Sequence, residues 1–151
     1  MANRVEELPL YAKVREFWTA VSAILDRPGL RRDRDLCGQI ERANDSIHAN
    51  LQEGFEQPTD ASFANFVFTA KGSAAEVMAR AQEAHAKGHI TNEDLRQILD
   101  LGEPLGKMMG GFIKYLSASG FTDRGRHAVA PRLPKPVKPR HGRRPSAGIR
   151  K

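Results

Sequence analysis

Between Gln39 and Gly54 the chain carries two lines of side chains, both at helical spacing. Leu36, Ile40, Ala43, Ile47 and Leu51 fall on one face of an α-helix, and an apolar face of that length demands a partner surface to bury it. Gln39, Arg42, Ser46, Asn50 and Glu53 form a second line about a quarter-turn away, at roughly 100° per residue. A helix lying on a protein surface needs only the first line. The second mixes amides, a guanidinium, a hydroxyl and a carboxylate, whose neighbours can hydrogen-bond one another half shielded from water. These five residues are expected to form a structural polar network, because they span roughly 20 Å at 1.5 Å per residue, too far to converge on one reacting atom. Gly54 is expected to stop the helix.

Three more stretches repeat the rhythm. Leu10, Val14, Phe17, Trp18, Val21, Ile24 and Leu25 define a first helix over about 9–26, opened by Pro9 and closed by Pro28-Gly29. Arg31-Arg32-Asp33-Arg34-Asp35 reads as a polar connection, with Asp33 as cap of the second helix. Thr59 or Asp60 caps a third helix that runs to about Lys87, before Gly88. Its core stripe is Phe63, Phe66, Val67, Ala70, Ala74, Val77, Met78 and Ala81. Nearly opposite, Ala64, Phe68, Gly72, Ala75, Ala79 and Ala86 make a second apolar line, mostly of residues with little or no side chain. A helix apolar on both sides is buried on both sides. This line is therefore expected to pack against another copy of the chain, with helix propensity alone as the alternative account of the alanines.

Thr91-Asn92-Glu93-Asp94 is a capping box and starts a fourth helix, which continues to about Ser117. Gly102, Pro104, Gly106, Gly110 and Gly111 interrupt its apolar pattern, and the proline predicts a kink near 102–104. Four helices with short connections make an all-α, antiparallel up-and-down four-helix bundle.

The 151 residues have a net charge of +6, unevenly placed. Residues 1–121 hold 14 Lys and Arg against 17 Asp and Glu, a balance of −3, whereas residues 122–151 hold 10 against 1, a balance of +9. That last stretch, with five prolines and few large apolar side chains, cannot bury enough surface to offset the entropy of ordering. The chain thus divides into a bundle over 1–121 and a basic tail over 122–151, expected to be disordered when free and biased to extended polyproline II. Arg124, Arg126, Arg132, Lys135, Lys138, Arg140, Arg143, Arg144, Arg150 and Lys151 are the candidate contacts to nucleic-acid phosphates.

Catalytic and metal chemistry find little footing. The single cysteine, Cys37, excludes an internal disulfide and sits inside an apolar helix as a packed small residue. His85 and His89 are four apart, a ligand spacing, but Gly88 between them ends the helix and parts the imidazoles. Asp45-x-x-His48 imitates one element of di-iron bundles, which need two. Gly72-Ser73 lies mid-helix, where its N–H groups are already engaged; Gly72 is read as a point of close helix approach. Glu53 and Glu76 are expected to pair with Arg42 and Arg80. No catalytic residue, metal site or cofactor is expected. Charges occupy the place of a signal peptide's apolar run, and no stretch approaches the roughly 20 apolar residues of a membrane span, so a cytoplasmic protein without membrane contact is expected.

Gln39-Ile40-x-Arg42-Ala43-x-x-Ser46-Ile47-x-x-Asn50-x-x-Glu53-Gly54, followed by Phe63-x-x-Phe66 and Ala70-Lys71-Gly72-Ser73-x-x-Glu76, resembles the four-helix-bundle proteins encoded by intervening sequences of bacterial 23S ribosomal RNA genes. The resemblance spans about residues 8–117. It implies a small homopentameric bundle without enzymatic activity. A more distant branch resembles accessory proteins of diversity-generating retroelements, which bind nucleic acid. Two functions compete: an oligomeric scaffold holding RNA or DNA through its basic tails, and a protein-interaction adaptor whose Pro-rich tail docks on another protein without nucleic acid.

Overall fold

The structure is a computed structural model that describes residues 4–119. A short 3-10 turn at Val5–Glu7 leads into α1 (Pro9–Leu25), α2 (Pro28–Arg32), α3 (Arg34–Phe55), α4 (Asp60–Ala86) and α5 (Asn92–Ala118). Proline opens both α1 and α2, where its missing N–H has no intrahelical partner to lose. The polar connection is thus partly helical: α2 buries Leu30 fully and leaves Arg31 and Arg32 in its last turn, the end that favours cations.

Side chains cap the three long helices that follow. Asp33 accepts from the Leu36 N–H at 3.3 Å and Thr59 from the Ser62 N–H at 3.1 Å. Thr91 accepts from the Asp94 N–H at 3.0 Å while Asp94 accepts from the Thr91 N–H at 3.1 Å, completing the capping box. Gly88, at φ +75°, ends the chain's run after α4 in a conformation that glycine adopts without a Cβ clash.

α3 packs against α1 and α4, and α5 against α4 and α1, so the four long helices close a four-cornered bundle. Short connections make consecutive long helices antiparallel. At one end Asp33, before α3, meets Lys87 and His89, after α4; at the other, Ser119, after α5, donates to Asp60 at the start of α4, at 2.5 Å. The α3 stripe Leu36, Ile40, Ala43, Ile47 and Leu51 is at most 5% exposed. Phe17 and Val21 of α1, Phe63 and Val77 of α4, and Ile98 and Met109 of α5 complete the core with it.

Two glycines do something other than expected. Gly54 does not stop α3, which continues to Phe55; it is buried, and a Cβ there would stand 2.7 Å from Phe63 Cδ2 and 2.7 Å from Phe66 Cβ. It lets α3 and α4 touch backbone to ring. Gly102 plays the same part in α5, where a Cβ would come 2.5 Å from Met78 Sδ and 2.8 Å from Phe17 Cε2. α5 runs uninterrupted through Pro104, which lies exposed, so the carbonyl deprived of its N–H partner can be hydrated. No helix among the described residues is long and apolar enough to cross a membrane.

Candidate functional site

The polar line of α3 separates into three parts. Asn50 Nδ2 donates to the Ser46 carbonyl at 2.8 Å and to Ser46 Oγ at 3.0 Å; Ser46 Oγ lies 2.9 Å from Ser73 Oγ, and Ser73 Oγ donates to the Thr69 carbonyl at 3.1 Å. With Ser73 committed as donor to Thr69, the hydrogen bonds run in one direction, Asn50 to Ser46 to Ser73, from α3 across to α4. Gln39 and Arg42 share a shallow cleft of about 230 Å³ with Ser46, Ser73 and Glu76. Arg42 is exposed and makes no ion pair with Glu53, its expected partner, or with Glu76; its Nη1 folds back over Gly38, 3.1 Å from where a Cβ would be. Glu53 is also exposed, with the Gln57 amide donating to its carbonyl at 3.2 Å. The expected Arg80 to Glu76 pair is replaced by Arg80 to Glu83 at 2.7 Å, which holds the Glu83 carboxyl below its usual range.

On the outer side of α4 the expected association line loses one member. Ala64 is 5% exposed and belongs to the chain's own core, although its phase on the helix lies with the outer line. The rest face outward: Phe68 is 68% exposed, and Ala75 and Ala79 are exposed with it. Among the described residues no atom lies within 4 Å of where a Gly72 Cβ would stand, so no described helix of its own chain approaches there. Ala61, Asn65, Phe68, Gly72, Ala75 and Ala79 form an exposed line without a charge, spaced alternately by four and three residues. That spacing is the one at which two helices pack along a shared seam.

The loop end of the bundle is held by charge. Arg27 grips Asp94 through Nε at 3.1 Å and Nη2 at 2.8 Å. Burial works against the Asp94 charge, but the bonds from Arg27 and Thr91 together keep its carboxyl below the usual range. Lys87 at 3.1 Å and His89 at 3.0 Å both engage Asp33 and lower its carboxyl likewise, Lys87 foremost. The two histidines at ligand spacing therefore part: His89 turns to Asp33, and His85 hydrogen-bonds Asn92. His48 stands between α1 and α3 with Nδ1 3.2 Å from the Tyr11 hydroxyl. Burial, then the nearby Arg15, push its pKa down. Burial raises the Cys37 thiol, in keeping with a packed residue. The ten basic candidates from Arg124 to Lys151 lie outside the described residues.

Sequence reasoning missed Ser73 as the partner of Ser46, and the pairs Arg27 to Asp94 and Asp33 to Lys87. No local signal betrays them, since their partners stand 27, 67 and 54 residues apart.

No curated protein and no solved structure matches the chain. A family model, that of the 23S rRNA-intervening sequence protein, matches residues 6–111, well over half the chain and all but the end of the bundle, and the chain therefore belongs to that family.

Proposed function

We propose that the chain is a non-catalytic scaffold in the cytoplasm: copies assemble through the outer face of α4 and present basic segments that hold RNA or DNA electrostatically. The observation that carries the assembly is Phe68, 68% exposed in the middle of an uncharged line of small residues, with open space over Gly72. Covering a phenylalanine removes on the order of 2 kcal/mol of unfavourable hydration per copy, and the alanines allow the close backbone approach that multiplies contacts. Five copies is the number that the family resemblance implies. The division of charge supports the second half: a bundle of −3 repels phosphates, and a segment with ten basic side chains against one acidic attracts them. Gathering several such segments on one body turns weak contacts into a firm one.

Deleting residues 122–151 and titrating both proteins with RNA and with DNA at two salt concentrations tests this. If about half of the ten basic groups meet phosphates, log affinity falls against log salt with a slope of roughly −3 to −5 for one tail, and the truncated protein loses most of its binding. Equal affinity and slope for both proteins would refute the tail as the binding element. A full-length protein that binds neither nucleic acid, while its Pro-rich segment captures an aromatic-grooved protein domain with little salt dependence, would favour the adaptor reading.

A further inference from the structure

A pocket of about 330 Å³ opens between α1 and α3, lined by Arg15, Trp18 and Thr19 from one helix and Asp45 and His48 from the other. Its volume falls within the roughly 300–1,000 Å³ of small-ligand sites. Trp18 is 37% exposed, yet it is held in place: its Nε1 donates to Asp45 Oδ1 at 3.3 Å, and its ring meets the His48 ring edge to face at 5.8 Å. His48 in turn meets Tyr11 edge to face at 5.3 Å and keeps Nε2 buried with no hydrogen-bond partner among the described residues. An indole fixed in this way loses little freedom when something stacks on it. Arg15 makes no ion pair among the described residues.

The composition of the wall selects the ligand. A bare anion would meet the Asp45 charge and leave the indole unused, and a cation would meet Arg15. An aliphatic guest has no use for the carboxylate. A flat heteroaromatic ring with N–H donors on its edge and a phosphate attached uses the indole and both charged groups: ring on indole, N–H on the second Asp45 oxygen, phosphate on the guanidinium. We infer that the cleft between α1 and α3 binds a single nucleotide, free or unpaired in a strand, with its base stacked on Trp18, its edge on Asp45 and its phosphate on Arg15. This site lies on the bundle and is independent of the basic tail.

Trp18 is the only tryptophan in the chain, so its fluorescence reports on this pocket and on no other place. The full-length protein is titrated with the four ribonucleoside monophosphates and with a short single-stranded oligonucleotide, against ribose 5-phosphate and inorganic phosphate as controls. Saturable quenching by at least one base-bearing ligand, and none by the controls, is the expected result. Arg15→Gln and Asp45→Asn, both at exposed positions, should raise the half-saturating concentration at least about tenfold, as loss of one charge-assisted contact does. Asparagine keeps an oxygen for the indole N–H while it removes the charge and puts an NH2 donor in place of the second acceptor. Quenching by mononucleotides supports a site for free nucleotides, and quenching by the oligonucleotide alone supports one for an unpaired nucleotide of a strand. No quenching by any of them, or half-saturation unchanged in either variant, overturns the inference. Both variants keep the basic tail, so an oligonucleotide gel shift that survives in them separates failure of the pocket from failure of the tail.

Discussion

Gly54→Ala measures how closely α3 and α4 approach. The new methyl carbon would stand 2.7 Å from Phe63 Cδ2 and 2.7 Å from Phe66 Cβ, against a carbon contact distance of about 3.5–4.0 Å. Phe63 has no free space to swing: it is 1% exposed and meets Phe55 at 6.2 Å and Phe112 at 5.3 Å, both edge to face. Phe66 Cβ is fixed to the backbone of α4, so no rotamer removes that contact. Relief requires the two helices to part. Overpacking of this kind costs about 1–3 kcal/mol. Alanine's helix propensity returns at most about 1 kcal/mol, and less in a last turn. The net expectation is a loss of about 1–2 kcal/mol, or roughly 4–8 °C in thermal midpoint for a domain of this size. Circular dichroism melts at fixed protein concentration give the value. Gly111→Ala serves as control, since a Cβ there meets nothing within 4 Å and should stabilise by up to about 1 kcal/mol. A Gly54→Ala protein as stable as the parent, or moving in the same direction as Gly111→Ala, would refute the close approach.

Ala75→Arg or Ala79→Arg places a charge on the outer line of α4 and should lower the mass found by light scattering while leaving helical dichroism intact; an unchanged mass in both would count against that face. Asn50→Ala should lose about 1 kcal/mol with its bonds to Ser46, whereas Arg42→Ala, exposed and without an ion pair among the described residues, should stay within about 0.5 kcal/mol; denaturant midpoints that rank them the other way would sink the reading of the hydrogen-bond line. Asp94→Ala removes half the capping box and the grip of Arg27 together, for a loss of about 1–3 kcal/mol. The folded-state pKa of Asp94 lies below its unfolded value of about 3.9, so its stabilisation is complete above that pH and fades as pH falls through the folded value. Acid titrations of stability should therefore be shallower for Asp94→Asn than for the parent over that window, and identical slopes would contradict the assignment.

What could be read from the order of residues alone depended on whether cause and effect sit close together in the chain. Asp33, Thr59 and Thr91 announce their helices because a capping side chain and the N–H it satisfies are three residues apart. The α3 core stripe is as direct, since one period decides which side chains share a face. α2 escaped because five residues are too few for a period to show. Glycine is ambiguous for a deeper reason: it marks a helix end or a close contact, and only the helix standing opposite tells them apart. Gly54 faces Phe63 and Phe66, so it is the second kind. Ala64 carries the same lesson in reverse, an alanine whose phase looks outward until the bundle closes around it. The second polar line predicted proximity correctly for Ser46 and Asn50, but spacing says nothing of how far a flexible arginine will fold, and Arg42 lies over Gly38.

The bond from Ser119 to Asp60 ties the C-cap of α5 to the first turn of α4, and with it marks one pole of the bundle. Symmetry converts that polarity into a layout. A ring whose rotation axis runs along the bundle brings the Ser119 ends of all copies to the same side. A pair related by a two-fold axis across α4 would place the two Ser119 ends on opposite sides. The direction of the symmetry axis, more than the strength of any contact across it, decides whether those ends share a side.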